Sequence, residues 1–295
     1  MVKNLIIKWA IGLNLFLLLI LVFSELNAQR RLWTVGTAYT VNNKDLRLAA
    51  FQPTAYGLTK SIEVSAHPLV FLAAPNLNIK KQWFRNKKFA LASKHGVVSP
   101  GFLLQKLADA DIYNSLSEEK EIPGILHFKN ELLFSYSWGK ILCPSFTREE
   151  FNRKNTFIGP TKILTLKLGI QNGMQMGDGV MPTLPEKYIF HHTYPYHELM
   201  MYYLGLDFDS RLNVYFDYAI DLEYILLEGN HHVFEHKTLI NWWVGRKFFH
   251  VLAGYQISYG EYPDGWKFFV GPVIDLMWTL RRNKMDLGLF GKKLF

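Results

Sequence analysis

Acyl transfer needs a hydroxyl nucleophile beside an imidazole that can take its proton. The stretch Lys94-His95-Gly96-Val97-Val98-Ser99-Pro100 offers such a pair in His95 and Ser99. A His beside a Ser at the end of a structural element also makes an ordinary hydrogen bond, so the pair alone is a candidate and no more. Imidazole clusters are the second possibility. His191, His192 and His197 form one, His231, His232 and His236 another, and Glu198 or Glu235 could complete a borderline-metal site. Neither cluster has a fixed ligand spacing, and solvated loop histidines look the same. The third is a basic run, Lys80, Lys81, Arg85, Lys87 and Lys88, interleaved with Trp83 and Phe84, a mixture that suits anionic headgroups or a plain solvated hairpin end.

The elements that must hold these residues are strands. Leu212, Val214, Phe216, Tyr218, Ile220, Leu222 and Tyr224 alternate with Arg211, Asn213, Tyr215, Asp217, Ala219, Asp221 and Glu223. Successive side chains of a strand point to opposite faces, so one face is apolar and the other mostly polar. The run exceeds the usual length of a soluble strand and the 9–11 residues that cross a bilayer at a tilt. Strands are expected near 32–40, 46–53, 60–68, 77–85, 88–97, 124–138, 161–172, 197–208, 211–225, 235–246, 248–260 and 266–279. In the last of them Trp266, Phe268, Val270, Pro272, Ile274, Leu276 and Trp278 share a face with Trp at both ends, as two membrane interfaces select. Turns are expected at Asp207-Phe208-Asp209-Ser210 and at Tyr262-Pro263-Asp264-Gly265. Residues 100–116 read as a short helix, with Phe102, Leu103, Leu107 and Ala110 on one side.

The expected fold class is therefore all-β: an antiparallel transmembrane β-barrel of about twelve strands, with ten as the alternative. With both termini on one side, the short joints fall on that side and the long ones opposite, except for the long joint 139–160. Alternation turns a polar set toward the interior: Glu63, Ser65, His67, His127, Lys129, Glu131, Lys167, Asp217, Asp221, Glu223, His250, Gln256 and Asp275. Such a set either braces the wall through ion pairs or lines a selective path, in which case Asp217, Asp221 and Glu223 favour cations.

Lys3 and Lys8 precede an uncharged Leu/Ile-rich stretch from Trp9 to Ser24, and Asn27-Ala28-Gln29 follows. This is the pattern of a secretory signal peptide cleaved after Ala28, leaving residues 29–295 as the barrel. The single cysteine, Cys143, excludes an internal disulfide and lies too far from the signal to carry an N-terminal lipid. The chain carries 33 basic and 25 acidic residues, and removal of residues 1–28 leaves an excess of seven positive charges. That excess favours anionic lipid or lipopolysaccharide phosphates, whereas nucleic acid is a poor partner for an exported chain. Mean hydropathy of +0.01 with 15% aromatics suits a wall whose strands are half polar.

Together the signal, the long alternating strands, the aromatic strand ends and the terminal Phe295 resemble a Gram-negative outer-membrane β-barrel protein of uncharacterised type. The resemblance implies a monomer in the outer membrane that touches its lipids, without a cofactor, in passive transport or an envelope structural role. Alternatives are an outer-membrane lipid hydrolase or acyltransferase and a soluble periplasmic β-protein binding an apolar ligand. In the outer-membrane hydrolases the His and Ser stand two apart on one strand with an Asn following. His95 and Ser99 are four apart and no Asn follows, so that motif does not carry over to this pair.

Overall fold

The computed structural model describes residues 35–69, 71–86, 88–109, 122–139, 162–179, 200–212, 216–244, 249–262 and 265–281. Twelve antiparallel strands make one closed barrel: β1 (Asp45–Ala49), β2 (Thr54–Gly57), β3 (Ile62–Ala66), β4 (Asn76–Arg85), β5 (Phe89–Val98), β6 (Gly124–Trp138), β7 (Lys162–Met176), β8 (Met200–Arg211), β9 (Phe216–Leu227), β10 (His231–Trp243), β11 (Phe249–Tyr262) and β12 (Gly265–Arg281). Each strand pairs with the next in sequence, and β1 closes the ring on β12 with Asp45 opposite Arg281 and Ala49 opposite Met277. Closure gives every strand a neighbour on both sides, with the seam made by Met277–Arg281 of the longer β12. A single helix among the described residues, α1 (Gly101–Asp109), lies at the rim opposite the barrel's ends, with Leu104 packed on Ile125. Phe102, expected on the packed side, is exposed.

Three expectations about the elements need correction. Residues 32–40 were expected to be the first strand, but residues 35–41 form no strand and Thr37 to Val41 are buried. The expected strand 46–53 ends at Ala49 instead, because Pro53 has no N–H for a ladder and β2 begins after it. The count of twelve therefore comes from a different division of the N-terminal third. Asp207 to Ser210 make no turn: β8 runs through them to Arg211, with Asp207 and Asp209 buried. Aspartates typical of turns here serve as inward polar residues.

The two faces of the wall differ as alternation requires. Outward stand Leu132, Phe134, Leu166, Leu168, Leu204, Leu206, Ile240, Trp242, Val270 and Ile274, all exposed. At the rim that holds both ends of the barrel, outward aromatics contact one another in succession. Ring centroids are 4.9 Å apart for Phe89 and Tyr136, 5.4 Å for Tyr136 and Trp138, 5.9 Å for Trp138 and Phe208, and 4.8 Å for Phe249 and Trp278. Tyr259 and Trp266, 5.0 Å apart, mark the opposite rim.

Inside, residues 35–41 run along the wall as a strap. Its backbone is gripped by inward side chains: Lys80 Nζ donates to Tyr39 O at 2.7 Å, Gln82 Nε2 to Ala38 O at 2.9 Å, and Glu63 accepts from Val41 N at 2.7 Å. Ala38 N donates to Ser135 Oγ at 2.8 Å, and Tyr39 Oη to Ser137 Oγ at 2.8 Å. Every buried backbone group of an irregular segment needs such a partner, and β3, β4 and β6 supply them. Gly36, at φ +80°, begins the strap against Asp207 on β8.

Gly169 on β7 faces Tyr203 across the β7–β8 ladder, and a Cβ there would overlap the phenol ring. Tyr203 is buried and carries the Lys129 ammonium over its ring at 5.2 Å, so it has little room to yield. Gly169→Ala is expected to destabilise the barrel by about 1–3 kcal/mol. Thermal denaturation in detergent checks this, and an unchanged midpoint would refute the close approach.

Candidate functional site

A break in the outward apolar wall identifies the site. On β5 the outward residues are Phe89, Leu91, Ser93, His95 and Val97, so the fifth and seventh residues of the strand interrupt an apolar series. The ladder places His95 directly opposite Asn130 on β6 and Ser93 opposite Lys81 on β4. Ser93 Oγ lies 3.1 Å from His95 Nε2, and His95 Nδ1 lies 2.8 Å from Asn130 Oδ1. An amide oxygen only accepts, so Nδ1 carries the proton and Nε2 presents its lone pair to the Ser93 hydroxyl. Hydroxyl, imidazole and orienting amide thus stand in the order that a nucleophile, a general base and its positioner require.

The fourth polar group comes from an irregularity. The β4–β5 register shifts between Gln82 and Phe84, which leaves Trp83 as the extra residue of a β-bulge. A bulge re-aims the side chain it carries. Trp83 Nε1 donates to Ser93 Oγ at 2.8 Å. Ile79, Leu132, Phe134 and Leu168 surround the four groups and are all exposed outward.

A Thr–His contact elsewhere on the outward wall shows how common a hydroxyl–imidazole pair is. Thr238 Oγ1 lies 2.9 Å from His236 Nε2 on β10, and Tyr255 Oη lies 3.5 Å from the same nitrogen. There both hydrogen bonds fall on one ring nitrogen. At His95 they fall on two, one to a hydroxyl and one to an orienting acceptor, and that difference separates a relay from a pairing.

His95 therefore meets Ser93 and not Ser99, which follows the end of β5 and donates its backbone N–H to Pro75 O at 2.9 Å. The basic run is divided by alternation: Lys80 is buried on Glu63 at 3.3 Å, Lys81 faces outward, Arg85 lies over the Tyr39 ring at 5.1 Å, Lys88 is exposed, and Lys87 lies outside the described residues. Of the histidine clusters, His191, His192 and His197 lie outside the described residues, while His231, His232 and His236 belong to β10. Their rings go to separate neighbours, His232 to Tyr224 Oη at 2.6 Å and His236 to Thr238. Among the described residues no group of three potential ligands is arranged to hold a metal.

The interior polar residues pair along the wall. Lys167 bridges Asp207 at 2.6 Å and Glu223 at 3.0 Å, Lys237 meets Asp221 at 2.9 Å, and Arg211 meets Asp217 at 2.8 Å. Glu131 lies 3.0 Å from Lys94 and 3.3 Å from Lys129. His250 Nδ1 is 2.8 Å from Asn241 Oδ1, its ring stacked on Trp243, while His127 is buried on β6. Asp275 Oδ1 accepts from the backbone N–H groups of Ala50 and Phe51 at 3.0 and 2.8 Å and so fixes the turn after β1.

Sequence reasoning missed Ser93 and Asn130, and it took Trp83 as an aromatic of the basic run and not as a partner of a hydroxyl. The Ser93-x-His95 spacing, which puts both side chains on one face of a strand, was a signal for the first. No local signal marked the other two. Comparison of the chain with models of known protein families and with curated proteins gives no match, so the geometry carries the functional reading.

Proposed function

We propose that this barrel resides in the outer membrane of a Gram-negative cell, exported by a signal peptide cleaved after Ala28, and acts from its lipid-facing wall as an acyl-ester hydrolase or acyltransferase. The observation that carries the reading is the Ser93–His95–Asn130 relay set in an apolar outward surface. Polar and ionisable groups on such a surface are costly, and their retention is by default a sign of function. The exposed apolar band between aromatic rims supports the membrane setting and weighs against a soluble protein with an internal ligand.

The chemistry follows from the positions. Ser93 Oγ attacks the ester carbonyl carbon while its proton passes to His95 Nε2, and the imidazolium is held by Asn130. As the tetrahedral intermediate collapses, the ester C–O bond breaks and His95 returns the proton to the leaving alkoxide. Water, or an acceptor lipid hydroxyl, then attacks the acyl-Ser93 ester with His95 again as base, releasing fatty acid or a transferred acyl chain. Strand amides around Ser93 are committed to the ladder with β4 and β6, so an oxyanion donor must be a side chain. Trp83 Nε1–H, already on Ser93 Oγ, is placed to serve.

Passive transport, which alternation alone favours, needs a path through the interior. The strap and the ion pairs along the inner wall support a bracing role for the interior polar groups. Outer-membrane lipids, including lipopolysaccharide, are the proposed partners of a monomeric barrel.

The experiment is membrane fractionation followed by labelling with a fluorophosphonate. The expected result is a protein in the outer-membrane fraction, with gel mobility that changes on boiling, carrying one adduct on Ser93. A soluble protein without the shift overturns the membrane setting, and a folded barrel without the adduct overturns the esterase.

A further inference from the structure

We infer that Lys81 grips the phosphate of the substrate, and that the substrate is a glycerophospholipid whose headgroup lies toward the rim that holds the barrel's two ends. The inference rests on the esterase reading and deepens it. Lys81 is the sixth of ten residues in β4 and stands directly across the ladder from Ser93. Among the described residues it is the lysine set in the middle of an outward strand face: Lys162, the other outward lysine of the wall, occupies a strand end, and Arg85, opposite inward Ala90, lies over the Tyr39 ring. Its neighbour Lys80, turned inward, has Glu63 as a partner. Lys81 has no such carboxylate among the described residues, and its ammonium rests 3.4 Å from Ser61 Oγ and 5.9 Å from the centre of the Trp83 ring. An ammonium on a lipid-facing surface reaches for phosphate or for water at the interface.

The site is also polar along the strand direction. His95 lies on the side of Ser93 toward the rim that carries α1. Trp83 and Ser61 lie on the other side, near the joints 86–88 and 58–61 at the rim of the barrel's ends. A lipid whose ester carbonyl meets Ser93 and the indole N–H places its phosphate with Lys81 when the headgroup points to that second rim. Its acyl chains then run past Ile79 and Leu132 toward the middle of the wall. A lipid inserted from the opposite leaflet would bring its phosphate to the imidazole side, away from the cation. With both ends of the barrel on the periplasmic side, this orientation selects the periplasmic leaflet, hence a glycerophospholipid over lipid A, although both carry phosphate beside an acyl ester.

The test compares the full barrel and its Lys81→Gln and Lys81→Arg variants, in micelles, on phosphatidylglycerol, on lipid A and on the neutral ester p-nitrophenyl butyrate. Lys81→Gln is expected to lower kcat/KM for phosphatidylglycerol about 10- to 100-fold, the worth of a charge-assisted hydrogen bond, with less than about a twofold change on the neutral ester. Lys81→Arg should restore most of the loss. Equal losses on both esters, or none, overturn the phosphate grip while leaving the esterase standing. Faster turnover of lipid A than of phosphatidylglycerol overturns the orientation. Absence of turnover on all three by the wild-type barrel, with its boiling-dependent mobility intact, overturns the esterase reading and this inference with it.

Discussion

Ser93→Ala is expected to reduce lipid-ester hydrolysis at least about 10³-fold, and up to about 10⁶-fold, while the barrel keeps its boiling-dependent gel mobility. The nucleophile contributes a covalent bond that no neighbour replaces: the Ser61 hydroxyl lies beyond β4, in the joint before β3, and bonds Lys81. His95→Ala should cost nearly as much, because the hydroxyl without a base is a poor nucleophile at neutral pH. The double variant should be scarcely worse than either single one, since the two act as a unit. Asn130→Ala is expected to lose about 10²-fold, the order of effect of a misplaced catalytic group, as it orients the imidazole without touching the ester. Two controls sharpen the pattern. Ser99→Ala and His236→Ala, each outside the relay, should leave turnover unchanged, and a loss at either comparable to that at His95 would refute the assignment.

Lys167→Met is expected to destabilise the barrel by about 3–5 kcal/mol, the cost of stranding buried charge. Lys167 is the shared partner of Asp207 and Glu223, and all three side chains are largely buried, with relative exposures of 7%, 2% and 16%. Asp207 also borders Gly36, so the loss reaches the beginning of the strap. Urea unfolding of the barrel in micelles measures the effect. Adding Asp207→Asn and Glu223→Gln to Lys167→Met should recover most of the stability, because the penalty comes from the unpaired carboxylates and not from a missing amine. Failure of the triple variant to recover would mean that Lys167 acts through packing. Hydrolysis per folded molecule should be unaffected, as Lys167 faces inward and Ser93 outward.

The histidine in the relay was visible before the fold was, and its partner was not. His95 and Ser99 are an imidazole and a hydroxyl close in sequence, yet four residues along a strand place the two more than about 12 Å apart by the rise of an extended chain. Ser93, two residues away, shares a face with His95 for the same geometric reason. The basic run from Lys80 to Lys88 looked like one patch, and alternation sends Lys80 and Lys81 to opposite faces, one to Glu63 and the strap and the other to the outward wall. Asp207 and Asp209 were read as turn residues from composition. Their places in β8 follow from the partners that a closed interior supplies, Lys167 for Asp207 among them.

The amino-acid sequence by itself determined the class of fold and the polarity of most faces, because those rest on a two-residue period, whereas the strands of the N-terminal third and the end of β8 were set by pairing. Only the tertiary structure decided what those faces bring together. Asn130 lies 35 residues beyond His95 and meets it through the β5–β6 register, which pairs strands across the joint containing α1. A slip of one residue in that register would turn Asn130 to the inside of the barrel and leave the imidazole without its orienting acceptor. Trp83 reaches Ser93 only because a bulge in β4 re-aims it, and residues 35–41 forgo a strand because a closed interior offers their backbone better partners than a sheet edge. Register, bulge and closure depend on pairing energies between distant segments, and no local pattern encodes them.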